Sequence, residues 1–324
     1  MRTFFQVQIF VLLFCLLISL PALAKRDGLH ADQIFIHDGV ERLYDLYVPP
    51  GYEKTRMPLV VILHGHGGNA QMVTRKRNPS PYKAWLDIAD REGLILLLPV
   101  GVKSPDGWRG WNDCRGDSKV LPSTDDVGFL RSLIHMTIRQ KHADPARVYV
   151  TGTSNGAFMT LRMALEAQDL VAAAAPVVAA MAGKSECMAG SKKVPILFMD
   201  GTADPLVHYE GGYVGSKKDG QKRGLTLSIP DSVAWWVRHN GAASKPVFSK
   251  FPDKDPDDDS TVEKYVYGGK APVVLIKMIG AGHTEPSLRW HYGWLYTMIV
   301  KKQNKDIEMA EEVWSFFRDK RLQK

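Results

Sequence analysis

The segment 152–156 has the sequence GTSNG and matches the pattern G-x-S-x-G. A β-branched run at 147–151 leads directly into it, and an apolar run at 156–167 with helical spacing follows. In this strand–turn–helix context the pattern exposes a serine hydroxyl, and both glycines are needed because a side chain there would collide with neighbouring backbone. We predict Ser154 as a nucleophile at a helix N-terminus, where the helix dipole favours developing negative charge. The alternative is a serine in an ordinary strand–helix turn.

A hydrolytic serine requires a general base. Candidate histidines follow it at four positions, His208, His239, His283 and His291. His283 lies in the turn 280–284, just after an apolar run at 273–278, and catalytic groups of parallel-sheet proteins lie outside the carboxyl ends of strands. His239 lies at a predicted helix end, and His208 is only four residues from the candidate acid. We therefore predict His283 as the base, with His291 as the second choice.

The acid of such a site precedes the histidine in the chain, in the order serine, aspartate or glutamate, histidine. Asp200 belongs to the end of an apolar run, whereas Asp204 lies in the loop 201–205, from which it can reach a histidine on the adjacent turn. We predict that Asp204 holds the imidazole in the correct tautomer and stabilises the imidazolium, and that Asp200 braces the loop.

An oxyanion hole needs two backbone N–H donors. The amide of Asn155 follows the nucleophile, and the amide of His66 lies in the glycine-rich segment 64–70, HGHGGNA, after a predicted strand. A metal site at His64 and His66 is the alternative, but no carboxylate or cysteine has suitable spacing. We predict that the site uses no metal and no cofactor.

The elements around these residues indicate an α/β fold. Residues 33–37 and 42–48 alternate in polarity and predict a hairpin. Near-continuous apolar runs predict parallel strands buried on both faces, at 58–63, 94–98, 147–151, 171–178, 195–199 and 273–277. Helical spacing occupies several gaps, at 81–91, 125–141, 156–167, 231–239 and 307–320. We expect a mostly parallel, doubly wound sheet with helices on both faces, interrupted by irregular segments at 209–229 and 284–306.

The N-terminal segment has the features of a signal peptide. Arg2 precedes an apolar run at 9–20, and the sequence ALA follows at 22–24. We predict removal of residues 1–24, a single catalytic domain from 25 to 324, and a secreted or periplasmic protein. The alternative is an uncleaved membrane anchor, for which the apolar run is short.

Composition limits the classes of partner. The chain has 42 Lys and Arg against 35 Asp and Glu, a formal charge of +7, without the long basic block typical of nucleic-acid binding. The acidic run 253–259 lacks the ligand spacing of an EF-hand, so a solvated loop is favoured over a calcium site. Outside the predicted signal peptide two cysteines remain, Cys114 and Cys187, and an even pair in an exported protein favours one disulfide over two free thiols.

Six segments in order along the chain form a recognisable set: 63–69 (LHGHGGN), 110–114 (GWNDC), 125–130 (DDVGFL), 152–156, 201–205 and 282–284. Together they resemble the exported esterases related to polyhydroxybutyrate depolymerases and to feruloyl and acetylxylan esterases, the carbohydrate esterase family one-like α/β-hydrolases. The resemblance implies ester hydrolysis through an acyl-enzyme, with Ser154, Asp204 and His283 in the matching triad positions. It also supports a Cys114–Cys187 bridge near the site.

Three tryptophans are candidate substrate contacts. On the loop of the 110–114 motif, Trp108 and Trp111 either face the substrate or pack the loop onto the domain, and Trp290 lies in the aromatic segment 284–306. This segment is longer than in the family, and Glu285 begins a Glu-Pro-Ser sequence where relatives have Trp-Pro-Gly. Specificity therefore does not carry over, and the lack of linker and binding domains argues against insoluble polyester as the main substrate.

The sequence thus predicts a secreted serine esterase acting on feruloyl- or acetyl-type esters of carbohydrate, or on short hydroxyalkanoate esters. Alternatives are an acyltransferase on the same fold and a non-catalytic carbohydrate- or surface-binding protein. The expected partner is a small or carbohydrate-linked ester, without nucleic acid and without stable membrane insertion after signal cleavage. The sequence does not indicate an oligomeric state.

Overall fold

The computed structural model describes residues 27–52, 56–74, 80–216 and 222–322. The predicted signal peptide at 1–24 lies outside these ranges, so its removal and the domain start at residue 25 remain predictions. The described helices all fall short of the length and apolarity of a transmembrane span.

The described residues form a series of β-strands of very different lengths. In chain order they are β1 (Leu29–His37), β2 (Val40–Tyr47), β3 (Met57–Leu63), β4 (Ile95–Pro99), β5 (Val102–Lys103), β6 (Arg109–Gly110), β7 (Ala143–Thr153), β8 (Ala173–Val177), β9 (Ile196–Gly201), β10 (Gly212–Tyr213), β11 (Leu225–Thr226), β12 (Val247–Lys250), β13 (Thr261–Tyr267) and β14 (Val273–Ile279).

Ten of these strands make one sheet, in the order β1-β2-β4-β3-β7-β8-β9-β14-β13-β12. The six central strands from β4 to β14 pair in parallel, and antiparallel strands flank them on both sides. This arrangement confirms the expected mostly parallel sheet and the hairpin of β1 and β2. The strands β5 with β6 and β10 with β11 form two separate small ribbons.

Helices cover both faces of the sheet. They are α1 (Gln71–Thr74), α2 (Ala84–Glu92), α3 (Asp126–Lys141), α4 (Asn155–Glu166), α5 (Ile229–Asn240), α6 (Trp294–Val300) and α7 (Met309–Phe317). Successive residues of a strand point to opposite faces, so Val61 packs in the same core cluster as Leu133 of α3, while Val60 packs with Val313 of α7. Two apolar cores therefore hold the sheet between helical layers.

The regions expected to be irregular contain some regular structure. Within 209–229 the ribbon of β10 and β11 forms, and within 284–306 the helix α6 forms. The acidic run 253–259 is not wholly solvated, because Asp258 is buried and accepts hydrogen bonds from the amides of Ser260 and Lys305. The expectation of a solvated loop is thus wrong for Asp258, which closes a local turn.

The predicted disulfide is confirmed. Cys114 and Cys187 are bonded, with Cα atoms 5.2 Å apart. Backbone hydrogen bonds run beside it, from the amide of Gly116 to the carbonyl of Lys184 and from the amide of Glu186 to the carbonyl of Cys114. The bridge therefore fastens the loop after β6 to the segment between β8 and β9.

Removing this bridge should destabilise the protein measurably. The bonded residues are 73 positions apart. Cross-linking a loop of that length lowers the entropy of the unfolded chain enough to stabilise the fold by about 4 kcal/mol. The double variant Cys114→Ser, Cys187→Ser should lose that amount of unfolding free energy in equilibrium denaturant titrations. Reductant should shift the wild type to the same midpoint and leave the variant unchanged, and equal midpoints without reductant would contradict the prediction.

Candidate active site

Ser154 stands at a sharp turn between β7 and α4. Its backbone adopts φ 51° and ψ −122°, a conformation in which residues other than glycine are strained. A Cβ added at Gly152 would lie 2.6 Å from the carbonyl oxygen of Leu63, and one added at Gly156 would lie 2.2 Å from that oxygen. Both positions require glycine because the turn packs directly against the end of β3. The segment has the strand–turn–helix geometry expected of its motif.

Asp204 and His283 lie together at the carboxyl edge of the sheet. They follow β9 and β14, which are parallel neighbours, so the loops leaving the two strands meet. His283 Nδ1 is 2.7 Å from Asp204 Oδ2. The other carboxylate oxygen of Asp204 accepts hydrogen bonds of 2.8 Å from the amides of Leu206 and Val207. Both oxygens are therefore held, and the imidazole keeps Nε2 available.

The second candidate acid does not reach the histidine. Asp200 is buried, and its Oδ1 accepts a hydrogen bond of 2.9 Å from the amide of Ala179. Burial, reinforced by the charge of Asp204, raises the pKa of Asp200 well above its usual value. Asp200 thus connects β9 to the end of β8, and Asp204 is the carboxylate in contact with the imidazole.

The other candidate histidines lie elsewhere. His208 and His291 are exposed, and neither lines the cavity that contains His283. His239 stacks on Trp235 of the same helix, with ring centroids 4.8 Å apart. Among the candidates, His283 alone pairs with a predicted acid in the described part of the chain.

A cavity of about 360 Å³ contains both Ser154 and His283. Apolar side chains supply much of its wall, from Leu206, Val207, Val214, Tyr296, Ile299 and Val300. A cavity of similar volume, about 380 Å³, lies between α5 and the strands β13 and β14, and none of the predicted catalytic residues lines it. Of these two cavities, the first is therefore the one at which the predicted nucleophile and base lie.

The charge state of His283 depends on three effects. Burial disfavours the imidazolium and lowers the pKa of His283, but the adjacent Asp204 and the nearby Glu285 raise it. The attraction of the two carboxylates prevails, and the pKa lies above the ordinary value for histidine. The site is therefore suited to stabilise a positive charge on this ring.

The side chain of Asn155 joins the nucleophile turn to the loop after β6. Its Oδ1 accepts a hydrogen bond of 2.7 Å from the amide of Trp111, and its Nδ2 donates to the carbonyl of Trp111 and to Asp113. Asp113 is fully buried and also accepts two hydrogen bonds from the guanidinium of Arg115. This network fixes the loop that carries Cys114 beside the turn.

The predicted oxyanion donors are backbone amides at the two sides of this turn. His66 lines the cavity, and Asn155 begins α4. Neither amide donates a hydrogen bond to another residue within the described ranges. The side chain of His66 points elsewhere, with Nε2 2.9 Å from Asp106. Their joint role as donors remains a prediction.

Hydrogen bonds occupy both ring nitrogens of His64. Nε2 accepts from the amide of Gly101 at 2.9 Å, so Nδ1 carries the proton and donates to the carbonyl of Gly65 at 2.7 Å. Burial lowers the pKa of His64 to about 4, which keeps the ring neutral at neutral pH. His64 therefore holds the glycine-rich segment against the loop after β4.

A cluster of possible metal-ligating atoms occurs at the protein surface. In the described ranges, ligand atoms of His37, Asp38 and Asp125 lie within 4.8 Å of one another. None of the three lines the cavity, and Asp125 caps α3 by accepting from the amide of Gly128. The cluster is therefore separate from the candidate active site.

The structure contradicts one of the three tryptophan predictions, that for Trp111. Trp111 is fully buried, and its indole donates to the carbonyl of His64 at 2.9 Å, so direct substrate contact is wrong for this residue and packing is its role. Trp108 is exposed but does not line the cavity. Trp290 also lies outside the lining, and the ammonium of Lys83 sits 4.8 Å from the centre of its ring. Distance along the chain from a motif does not show which way a side chain points.

A second carboxylate at the site had no assigned role in the sequence. Glu285 lines the cavity, is 5 % exposed, and accepts a hydrogen bond of 2.5 Å from the hydroxyl of Tyr292. In the described part of the chain, no lysine or arginine forms an ion pair with it. The available signal was its position two residues after His283, where the chain departs from the family pattern.

The fold is that of the α/β-hydrolases. A solved structure with this fold, an acetyl xylan esterase from Aspergillus awamori, aligns with a TM-score of 0.55 over 86 % of this chain and 94 % of that chain. The two sequences are 17 % identical, so this likeness concerns the fold alone.

The chain belongs to the family described as esterase PHB depolymerase, which matches residues 42–207, just over half of its length. NocK of Nocardia uniformis subsp. tsuyamanensis, named as a candidate esterase, is 28 % identical over 78 % of this chain and 73 % of its own length. Feruloyl esterase B of Piromyces equi is 29 % identical over 60 % of this chain, and an acetylxylan esterase of Coprinopsis cinerea is 33 % identical over 39 %. These last matches span 34 % and 32 % of those proteins. The resemblance inferred from the motifs is confirmed, and the protein is classed with the carboxylic ester hydrolases.

Replacing Glu285 should move the acid limb of the pH profile. Because its charge raises the pKa of His283, the variant Glu285→Gln should lower that pKa, and hydrolysis should persist to lower pH. The measurement is kcat/KM against pH on a p-nitrophenyl ester.

A matched control is Glu263→Gln. Glu263 also accepts a hydrogen bond from a tyrosine, Tyr265. It lies in β13, does not line the cavity and is not part of the loop of His283. Its acid limb should coincide with that of the wild type. A limb that stays in place in Glu285→Gln would show that this charge does not act on the imidazole.

Proposed function

We propose that the protein is an exported serine esterase with a triad of Ser154, His283 and Asp204. The observation that carries the proposal is the 2.7 Å contact of Asp204 with His283, which lines the same cavity as Ser154 on its strained turn. The contact leaves Nε2 of the imidazole for the serine hydroxyl, which is the arrangement a nucleophile–base–acid triad needs.

In the proposed reaction, the hydroxyl oxygen of Ser154 attacks the ester carbonyl while His283 takes its proton. The amides of His66 and Asn155 donate to the oxyanion of the tetrahedral intermediate, and loss of one such donor costs on the order of 3 kcal/mol in other hydrolases. His283 then protonates the leaving alcohol as the carbon–oxygen bond breaks, giving an acyl-enzyme. A water molecule, deprotonated by the same imidazole, releases the acid and restores the serine.

The proposed substrates are acetyl- or feruloyl-type esters on carbohydrate, or short hydroxyalkanoate esters. The names of the relatives support these classes, as does a cavity whose apolar wall lies beside the nucleophile. Export is supported by the disulfide, because such bonds persist mainly in oxidising compartments.

Substrate class is tested with a matched panel of esters. The panel contains p-nitrophenyl acetate and butyrate, methyl ferulate, acetylated xylan and 3-hydroxybutyrate oligomers. The wild type should turn over at least one class, and Ser154→Ala, shown to be folded by circular dichroism, should lose this turnover. Transfer of the acyl group to an added alcohol in preference to water would favour an acyltransferase. Absence of turnover on every ester by folded protein would overturn the proposal.

The two buried aspartates allow a paired test of the acid. Asp204→Asn should lower kcat by roughly 10⁴-fold, because the amide presents a donor to Nδ1 and favours the wrong tautomer. Asp200→Asn should leave kcat within a few-fold, since Asp200 accepts from the amide of Ala179 and does not touch the imidazole. Equal losses in both variants would show that Asp204 acts through the fold and not through His283.

A further inference from the structure

The helix α6 exposes an apolar surface. In soluble proteins a helix normally turns its apolar side chains inward, yet here Val300 alone among the seven residues is buried. The large apolar residues of α6 with the greatest exposure are Trp294 (69 %), Leu295 (62 %), Met298 (66 %) and Ile299 (69 %). Together with half-exposed Tyr296, they present on the order of 500 Å² of apolar surface, a size typical of interaction sites.

This surface borders the mouth of the catalytic cavity. Tyr296, Ile299 and Val300 line the cavity, so its wall continues directly into the exposed face of α6. The backbone connects the two regions as well, because the amide of His283 donates to the carbonyl of Val300 at 2.7 Å. A partner that binds the exposed face of α6 therefore lies beside the mouth of the catalytic cavity.

Composition and charge favour a lipid surface over a protein. Tryptophan and tyrosine are enriched where proteins meet the membrane–water interface, and tryptophan and leucine are common on the apolar face of helices that lie in it. Lys301 follows the helix, is exposed, and forms no ion pair within the described ranges, whereas the next lysine pairs with Asp259. The net charge of the chain, +7, or +6 without Arg2 of the predicted signal peptide, adds attraction to anionic headgroups.

A second copy of the chain fits less well. A stable dimer buries about 800 Å² on each partner, more than α6 presents. A symmetric contact through α6 would also set two cavity mouths against each other and hinder entry of substrate.

We propose that α6 docks on an anionic phospholipid bilayer, with Trp294, Leu295 and Met298 in the interface and the cavity mouth facing the lipid. Ester groups presented at the bilayer surface then reach Ser154 along Tyr296 and Ile299, which line the cavity. Docking itself does not require catalysis, whereas delivery of esters from the bilayer rests on the proposed esterase function.

Co-sedimentation with vesicles of phosphatidylcholine and phosphatidylglycerol tests the docking. The variant Leu295→Ser, Met298→Ser should bind at least tenfold more weakly than the wild type. The matched control Val247→Ser, Phe248→Ser removes two apolar residues that are likewise exposed (73 % and 53 %) but lie on the edge strand β12, and it should bind as the wild type does.

A second readout follows the helix itself. Brominated phospholipid should quench part of the tryptophan fluorescence of the wild type, and this part should disappear in Trp294→Phe. Hydrolysis of p-nitrophenyl acetate by each α6 variant should stay within twofold of the wild type, which shows that fold and chemistry are intact.

Three results would overturn the docking. The first is that the wild type does not bind vesicles, and the second is that the Leu295 and Met298 double variant binds them as well as the wild type. The third is that the wild type binds no lipid but forms a concentration-dependent dimer, which the double variant does not form. The Ser154→Ala variant separates the two proposals, because it should bind vesicles normally. Normal binding without ester turnover in the wild type would refute the esterase function and leave the docking in place.

Discussion

The carbonyl oxygen of Leu63 would lie 2.6 Å from a Cβ at residue 152 and 2.2 Å from one at residue 156, and the geometry of the nucleophile turn depends on this close contact. Because β3 ends against the turn, the backbone at Ser154 is forced to φ 51°. Strain of this kind persists only where the surroundings over-determine the conformation, and here two apolar cores hold the flanking strand and helix. The glycine-rich segment that follows Leu63 is brought beside the serine by the same contact.

Around this turn the protein buries several charges, and donors hold each carboxylate. Asp204 accepts hydrogen bonds from two backbone amides besides its contact with the imidazole. Asp113 accepts from the side chains of Arg115 and Asn155, and Glu285 accepts from the hydroxyl of Tyr292. In a low-dielectric site such fixed groups interact strongly and leave little freedom to reorganise when charge develops. The imidazole of His283 consequently lies in a field that favours its protonated form.

The segment after the histidine has a structural role that explains why it can carry an exposed apolar helix. The amides of Gly282 and His283 donate to the carbonyls of Lys302 and Val300, so residues at the end of α6 position the loop of the base. These contacts use the backbone only. The exposed side chains of Trp294, Leu295 and Met298 take no part in these bonds and do not line the cavity, so the catalytic geometry does not explain their apolar character.

Local patterns in the sequence determined a large part of this structure. Six apolar runs became the central parallel strands, and the glycines and serine at 152–156 formed the expected turn, because strand burial and tight-turn sterics depend on neighbours in the chain. Tertiary packing alone decided that Trp111 is buried, that Glu285 enters the cavity and that α6 stays exposed. These outcomes depend on contacts between residues far apart in sequence. Neither periodicity nor motif spacing predicts which way a side chain points in such contacts. The sequence favoured Asp204 over Asp200 by its place in a loop, but the distance from each carboxylate to the imidazole depends on the pairing of β9 with β14.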